Sequence, residues 1–215
     1  MTPESTKTIG GIGAILLFLG FIPIPYSGII ALVGFILVIV ALYGFANIYN
    51  ERGIFNNFVY GIIAGIVGVV IAGAVAVVSV LTTLANLLYQ LYPGWNGDWL
   101  TLSGLTPDVS NIAMSDVLPL LGGLLFVFLV LWISIIIAAF FERRSLNALS
   151  AKTGVGLFST AALLLFIGAI LTIVLIGILL IWISVLLIAI AFFQIKAQRE
   201  QPVARMATPP PPPPV

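Results

Sequence analysis

The chain has 215 residues, of which 61% are hydrophobic and only 7% are charged. An average soluble domain is about 25% charged and about half apolar, so a soluble fold of this length could not hide so much apolar surface in one core. The net charge of +1 provides no field that would attract nucleic acid. The chain contains neither cysteine nor histidine, which excludes disulfides, cysteine nucleophiles and the usual zinc and haem sites. Composition therefore predicts an all-α integral membrane protein that is partly covered by lipid.

Apolar runs define six predicted transmembrane helices, because a helix needs about 20 apolar residues to cross a hydrocarbon core of about 30 Å. In chain order the predicted spans are 9–25, 29–48, 58–88, 117–141, 155–173 and 177–195. The last two belong to one uncharged run, which as a single helix would be roughly twice as long as the core is thick. We therefore place a tight turn within Ile170–Gly177 and predict one polytopic membrane domain, 1–197.

Charge placement supports this number of spans. With six spans, all eight basic residues fall on one side of the membrane: Lys7, Arg52, Arg143, Arg144, Lys152, Lys196, Arg199 and Arg205. The opposite side carries Asp98, Asp108 and Asp116. Because lysine and arginine concentrate in cytoplasmic loops, both termini are predicted to be cytoplasmic, in a multi-pass protein of the cytoplasmic membrane.

The two longest segments outside the predicted spans are an outer loop and a tail. The outer loop, 89–116, contains turn signals and an aromatic cluster. It is either a solvated connector or a surface for a partner, with the candidate residues Tyr92, Trp95, Asp98, Trp99 and Asp108. The tail, 198–215, ends in a proline run that favours an extended, disordered cytoplasmic segment. The tail is either a spacer or a ligand for an aromatic groove on a partner.

The third span has the clearest side-chain pattern. Small residues recur along it every three or four positions and therefore share one helical face. They are Gly61, Gly65, Gly68, Ala72, Ala76, Ser79 and Thr83. Gly61 and Gly65 form a GxxxG motif, which lets helix backbones approach closely in lipid. We predict that this stripe packs against another span or a second copy of the protein; a narrow pore lining is the alternative.

Motifs for chemistry are lacking. No acidic or basic side chain falls within the six predicted spans, whereas pumps and proton-coupled carriers usually place one there. The glycine-rich stretches 10–13 and 154–156 do not follow strands and so do not match phosphate-binding loops. The outer-loop aspartates have no histidine partner, and their spacing indicates neither acid–base catalysis nor a metal site. We therefore expect no enzyme, no catalytic residues, no cofactor and no metal.

Two hairpins resemble one another. Lys7–Gly11 opens the first, Lys152–Gly156 opens the last, and Glu51-Arg52 is repeated as Glu142-Arg143. With six spans, both hairpins have the same orientation in the membrane. They are either a parallel repeat that flanks a central hairpin or a coincidence within low-complexity apolar sequence.

The same motifs carry a likeness to a known family. Lys7–Gly11, Tyr49–Arg52, Glu142–Arg144 and Lys152–Phe158 resemble those of small archaeal multi-span membrane proteins that share a domain of unknown function. The resemblance covers roughly residues 7–197 and omits the proline tail. It implies an archaeal source and a cytoplasmic membrane, and it supplies no catalytic residues.

Two functional hypotheses follow. The first is a non-catalytic structural or assembly component of a membrane complex, which acts by packing its spans against lipid, a second copy or other subunits. The alternative is a facilitator or channel for a small or neutral solute. Nucleic acid is not an expected partner of either.

Overall fold

The computed structural model describes residues 2–110 and 112–196. The predicted tail, with Arg199 and Arg205, lies outside the described residues. Within the described part of the chain, all regular secondary structure is helical. The predicted all-α fold class is therefore confirmed for these residues.

Seven α-helices account for most of the described chain. They are α1 (Pro3–Gly20), α2 (Ser27–Ile48), α3 (Arg52–Val75), α4 (Leu81–Leu91), α5 (Met114–Thr153), α6 (Leu157–Leu171) and α7 (Ile176–Gln194). A π-helical segment, Ala76–Val80, joins α3 to α4, so that one rod runs over Arg52–Leu91. Short 3₁₀ helices occupy Trp99–Gly104 and Thr172–Val174.

Five of the described helices are long and apolar enough to cross a membrane. They are α2, the α3–α4 rod, α5, α6 together with its 3₁₀ turn, and α7. The remaining helix, α1, begins with six polar or proline residues before its apolar part, which starts at Ile9. Its apolar stretch is therefore the shortest of the set.

The breaks between helices coincide with a proline or with residues whose φ is positive. Pro23 cannot donate a helical hydrogen bond, and the chain re-enters helix after Tyr26, whose φ is +68°. Asn50 (φ +49°) turns the chain between α2 and α3. Gly154 (φ +71°) ends α5 in the left-handed conformation that glycine adopts without a steric penalty. Leu175 (φ +64°) breaks the last apolar run inside the region where the sequence predicts a turn.

The long helices form a closed ring. Each packs against its neighbours in the order α1, α2, α3, α5, α6 and α7, and α7 returns to α1. One end of the ring is filled by fully buried aromatic side chains from α2, α6 and α7. The Phe192 ring lies 6.0 Å from that of Phe45 and 5.1 Å from that of Phe158. This packed end separates one face of the bundle from its interior.

Polar contacts join the chain segments at this same packed end. The Lys7 ammonium donates a hydrogen bond to the Ile195 carbonyl at 3.3 Å, just beyond α7. Lys152 pairs with Glu51 at 3.2 Å, which ties the end of α5 to the α2–α3 connection. We call this the charged end of the bundle; the connection from α4 to α5 lies at the opposite end.

The two similar hairpins, α1–α2 and α6–α7, lie in direct contact. The Phe18 ring of α1 stacks on the Trp182 ring of α7 with centroids 4.6 Å apart. The Trp182 indole also donates to the Phe18 carbonyl at 3.2 Å. The α3–α4 rod and α5 complete the ring between α2 and α6. The hairpins thus flank this central pair on both sides and meet each other behind it.

One charged segment differs from the sequence-based expectation. We expected a loop between 141 and 155, but α5 continues as one helix to Thr153, and only Gly154–Gly156 connects it to α6. Leu146 and Leu149, three positions apart, are buried in the same core cluster as Ile54. Because the helical period brings both leucines onto one face, core packing extends the helix beyond the apolar run.

A central cavity as candidate functional site

The ring of helices borders a cavity of about 690 Å³ that is open at the side of the bundle. Its walls come from α2, α3, α5, α6 and α7, and almost all of the lining side chains are apolar. Phe35, Leu165 and Ile181 contribute from the hairpin side. The packed aromatic core lies towards the charged end, so the cavity occupies the part of the ring that this core leaves unfilled. Its volume falls within the range of about 300–1,000 Å³ that small-molecule sites occupy in proteins.

Helical periodicity explains which residues of the central pair reach the cavity. On α5 the lining positions recur at steps of three and four: Leu131, Ser134, Ile135, Ala138, Ala139 and Glu142. On α3 the same spacing gives Gly61, Ile62, Gly65, Ile66, Val69 and Val70. Each helix therefore presents one continuous face to the cavity. The α3 face includes two of the residues that the sequence singled out.

The predicted glycine stripe has two different environments. A Cβ atom built on Gly61 would lie 3.1 Å from the Ala138 carbonyl oxygen and 3.2 Å from Glu142 Cγ. A Cβ atom on Gly68 would overlap Ser134. A Cβ atom on Gly65 would meet nothing within 4 Å. The backbones of α3 and α5 thus approach closely at Gly61 and Gly68, and the space left open between them at Gly65 belongs to the cavity.

The outer part of the stripe is less buried than its inner part. Ala72 is buried and Ala76 is half-buried, but Ser79 is exposed and Thr83 is half-buried. The π-helical segment Ala76–Val80 inserts residues at a different period and rotates the following helix relative to α3. The sequence pattern assumes one unbroken α-helical period, which the π-helical segment interrupts before Thr83.

Glu142 is the charged residue that sequence reasoning missed. It lines the cavity, and among the described residues no hydrogen bond or ion pair to its carboxylate is found. The neighbouring arginines are engaged elsewhere. The Arg143 guanidinium lies 5.3 Å from the centre of the Phe166 ring, and that of Arg144 lies 4.8 Å from the centre of the Phe140 ring. The cavity therefore combines apolar walls with one acidic side chain.

A signal for Glu142 exists in the sequence. It follows Ser134 and Ala138 at steps of four, on the same α5 face that lines the cavity. We expected a loop to begin directly after Phe141, so this periodicity was not extended across the boundary. Continuing the helical period by one turn would have placed the carboxylate on the inner face.

The candidate outer-loop surface divides into interior and exposed residues. Trp95 is buried, contacts the rings of Tyr89 and Trp99, and donates its indole N–H to the Asp98 carbonyl at 2.7 Å. Trp95 therefore holds the loop together. Trp99 and Asp98 are exposed, whereas Tyr92 is half-buried.

The aspartates of the outer loop cap local turns. The Asp98 carboxylate accepts the Leu100 N–H at 3.0 Å, at the start of the 3₁₀ helix. The Asp108 carboxylate accepts bonds from both the backbone N–H and the hydroxyl of Ser110, and these bonds lower the pKa of Asp108 below its ordinary value. Asp116 accepts the Ala113 N–H at 2.9 Å. In the described residues, no three acidic side chains gather to form a metal site.

An all-helical bundle in which five helices are long and apolar enough to cross a membrane is typical of polytopic membrane proteins. Comparison with known proteins then places the chain more narrowly. The family model described as "Protein of unknown function (DUF996)" matches residues 30–186. The chain belongs to this family.

A relative agrees with this assignment. An uncharacterized protein of the archaeon Methanocaldococcus jannaschii is 29% identical over 195 residues, which cover 91% of this chain and 94% of that protein. The predicted resemblance to an uncharacterised archaeal family is thus confirmed. No solved structure matches the chain.

Proposed function

We propose that the protein is a non-catalytic assembly component of a complex in the cytoplasmic membrane, with six spans and both termini in the cytoplasm. The observation that supports this proposal is the burial of the central pair. In its most apolar stretch only 17% of the residues of the α3–α4 rod and 6% of those of α5 are buried within the bundle. The corresponding figures for α2, α6 and α7 are 33–39%.

We therefore assign to a partner the exposed side of the central pair, which faces away from the other helices. The central pair has glycines on this exposed side as well as on the side that faces the cavity. Gly73 of α3 and Gly122 of α5 are exposed, and a Cβ atom on either would meet nothing within 4 Å. Exposed glycines allow the backbone of a second helix to approach closely where lipid provides no hydrophobic drive.

A substitution on this surface tests the proposal. Gly73→Leu fits the bundle itself, because the space around it is open, but it obstructs a partner helix. We expect the variant to lose the complex that the natural protein forms on native gels in mild detergent. Gly28→Leu is the matched control, since Gly28 is also exposed with open space but lies on α2. A complex that survives Gly73→Leu and Gly122→Leu together would refute this partner surface.

The cavity favours a second candidate, a facilitator for a small or neutral solute. A closed ring of helices around an unfilled interior provides space that a solute would occupy, and apolar walls with few polar groups are typical of small-molecule sites. Glycerol or urea flux into liposomes that contain the purified protein alone would test this candidate. Gly65→Leu places a side chain in the cavity and should abolish such flux; flux that is unchanged by it would argue against passage through this cavity.

A further inference from the structure

We propose that the central cavity binds a lipophilic organic cation, whose apolar body fills the cavity and whose positive charge pairs with the Glu142 carboxylate. This inference concerns binding inside one protomer. It does not depend on the assembly proposal, which concerns the outer surface of the central pair.

The residues of the cavity wall indicate that the uncharged part of the ligand is apolar. Apart from Ser134 and Glu142, the lining consists of glycine, alanine, branched aliphatic residues and one phenylalanine. The Ser134 hydroxyl already donates to the Val130 carbonyl at 2.8 Å within its own helix, so it needs no further acceptor. Burial of apolar ligand surface would therefore supply most of the affinity, and a strongly hydrated solute would lose its water shell without compensation.

Glu142 determines the charge of the ligand. The Glu142 side chain is half-buried and lines the cavity, and a cation in contact with its carboxylate would offset the cost of covering that charge with an apolar ligand. The adjacent Arg143 and Arg144 do not fill this role, because their guanidinium groups lie over phenylalanine rings. A neutral ligand would leave the carboxylate unpaired, and an anion would be repelled by it. A cation is the ligand charge that complements the site.

The position of the cavity explains how such a molecule would reach it. Ile66 and Val70 line the cavity, yet they are 58% and 64% exposed on the side of the bundle. The cavity wall is thus continuous with the apolar outer surface of α3. A lipophilic cation that has partitioned into the bilayer would therefore meet the opening from the membrane, without crossing the charged end of the bundle.

Tetraphenylphosphonium is a suitable probe, because it carries one positive charge on an apolar body. Its binding would be measured by equilibrium dialysis against the full chain in lipid nanodiscs, with empty nanodiscs to subtract partitioning into lipid. We expect saturable binding, and we expect Glu142→Gln to weaken it by about tenfold or more, because the variant removes the charge and keeps the shape. Glu4→Gln is the matched control: it removes the same charge from an exposed site at the start of α1 and should leave the affinity unchanged.

Two further measurements make the result decisive. Glu142→Asp retains the negative charge and should bind the cation more tightly than Glu142→Gln, which shows that charge and not loss of folding is responsible. Gly65→Leu fills the cavity and should weaken binding while Glu142 is intact. Equal affinity of the natural protein and Glu142→Gln, or the absence of saturable binding, would overturn the proposal. Neither result would bear on whether Gly73→Leu disrupts a complex.

Discussion

Glycine decides how closely the helices of each hairpin approach. In the first hairpin, a Cβ atom on Gly34 would lie 2.6 Å from the Gly13 carbonyl oxygen and 2.5 Å from the Leu17 backbone nitrogen. In the last hairpin, Gly168 and Gly177 face each other's carbonyl oxygens in the same way. Both crossings are backbone against backbone, so no flexible side chain is available to move aside. A methyl group at these positions must displace a helix.

Gly34→Ala should therefore destabilise the protein. Overpacking of this kind costs about 1–3 kcal/mol, which exceeds the gain of about 1 kcal/mol that alanine brings to a helix in place of glycine. Unfolding of the purified protein in mixed micelles by added dodecyl sulfate, followed by circular dichroism, would measure the free energy of unfolding. Gly28→Ala is the control on the same helix: with nothing within 4 Å, it should be neutral or stabilising. Equal stability of the two variants would contradict the close approach.

A second residue-scale prediction concerns the outer loop. The bonds from Ser110 lower the pKa of Asp108, so the folded loop favours the ionised carboxylate. Because folding lowers this pKa, the stabilisation is present at pH values above the pKa of Asp108 in the unfolded chain. It is lost as the pH falls through the pKa of Asp108 in the folded chain. Ser110→Ala should raise the pKa of Asp108 towards that of a free aspartate, as measured by carbon-13 titration of the labelled carboxyl group. Ser103→Ala, another loop serine, should leave this titration unchanged.

At the scale of elements, one buried hydroxyl joins the two central helices. The Ser145 hydroxyl of α5 donates to the Ile54 carbonyl of α3 at 2.5 Å in the packed core. Ser184 of α7 makes the corresponding bond to the Ala161 carbonyl of α6 at 2.8 Å. Both pairs of antiparallel helices are thus fixed in register by one serine, close to the aromatic core. Hydroxyls that bond across helices resist sliding, because moving the partner by one residue breaks the bond.

Ser145→Ala should reduce the free energy of unfolding by about 1 kcal/mol, the usual contribution of an interhelical hydrogen bond. Ser134→Ala is the matched control on the same helix. Its hydroxyl bonds only the Val130 carbonyl one turn back, so its removal should change stability by less than about 0.5 kcal/mol. Chemical or thermal unfolding in detergent would compare the two. An equal loss from both variants would show that the Ser145 bond does not hold α3 to α5.

Elements differ in how far their sequence determines them. The start of α2 and the turn before α7 follow from signals in the sequence: Pro23 and Pro25 precede α2, and the last apolar run is too long for one span. The extension of α5 beyond Phe141 does not, because its cause is tertiary: Leu146 and Leu149 are buried in the core cluster that also contains Ile54 of α3 and Phe158 of α6. The π-helical segment likewise has no local marker in Ala76–Val80. Pairing of helices, not hydropathy, therefore decides the extension of α5.

At the scale of the whole molecule, the site depends on the closure of the ring. The sequence predicts the small residues from Gly61 to Thr83 as a stripe on one side of a helix, but a single helix cannot reveal what faces that stripe. Cavity residues come from five helices that are distant in the chain, and Phe35 and Ile181 are brought together by closure alone. The apolar segments were therefore predictable from composition, whereas the space enclosed by them was not.

The side of the membrane on which the N-terminus lies depends on whether α1 crosses. Among the long helices of the described chain, α1 alone is not apolar enough along its whole length to be a span by hydropathy. If only the other five crossed, the two termini would lie on opposite sides. However, α1 packs along α2 from Gly13 to Gly20, facing Gly34 and Ala31. It also packs along α7, where Lys7 reaches the Ile195 carbonyl. A helix that runs beside two spans over this length should cross with them, and we therefore predict that both termini share the cytoplasmic side.

The chain contains no cysteine, so single cysteines report topology without background. We expect Glu4→Cys and Ala151→Cys, both exposed at the charged end, to react with a membrane-impermeant maleimide only after the cells are opened. Thr106→Cys in the outer loop should react in intact cells. Labelling of Glu4→Cys from outside, with Ala151→Cys still protected, would mean that α1 does not cross. In that case the ring of helices would not be closed within the membrane. The contacts of Lys7 with Ile195 and of Phe18 with Trp182 would then not hold α1 in the bilayer.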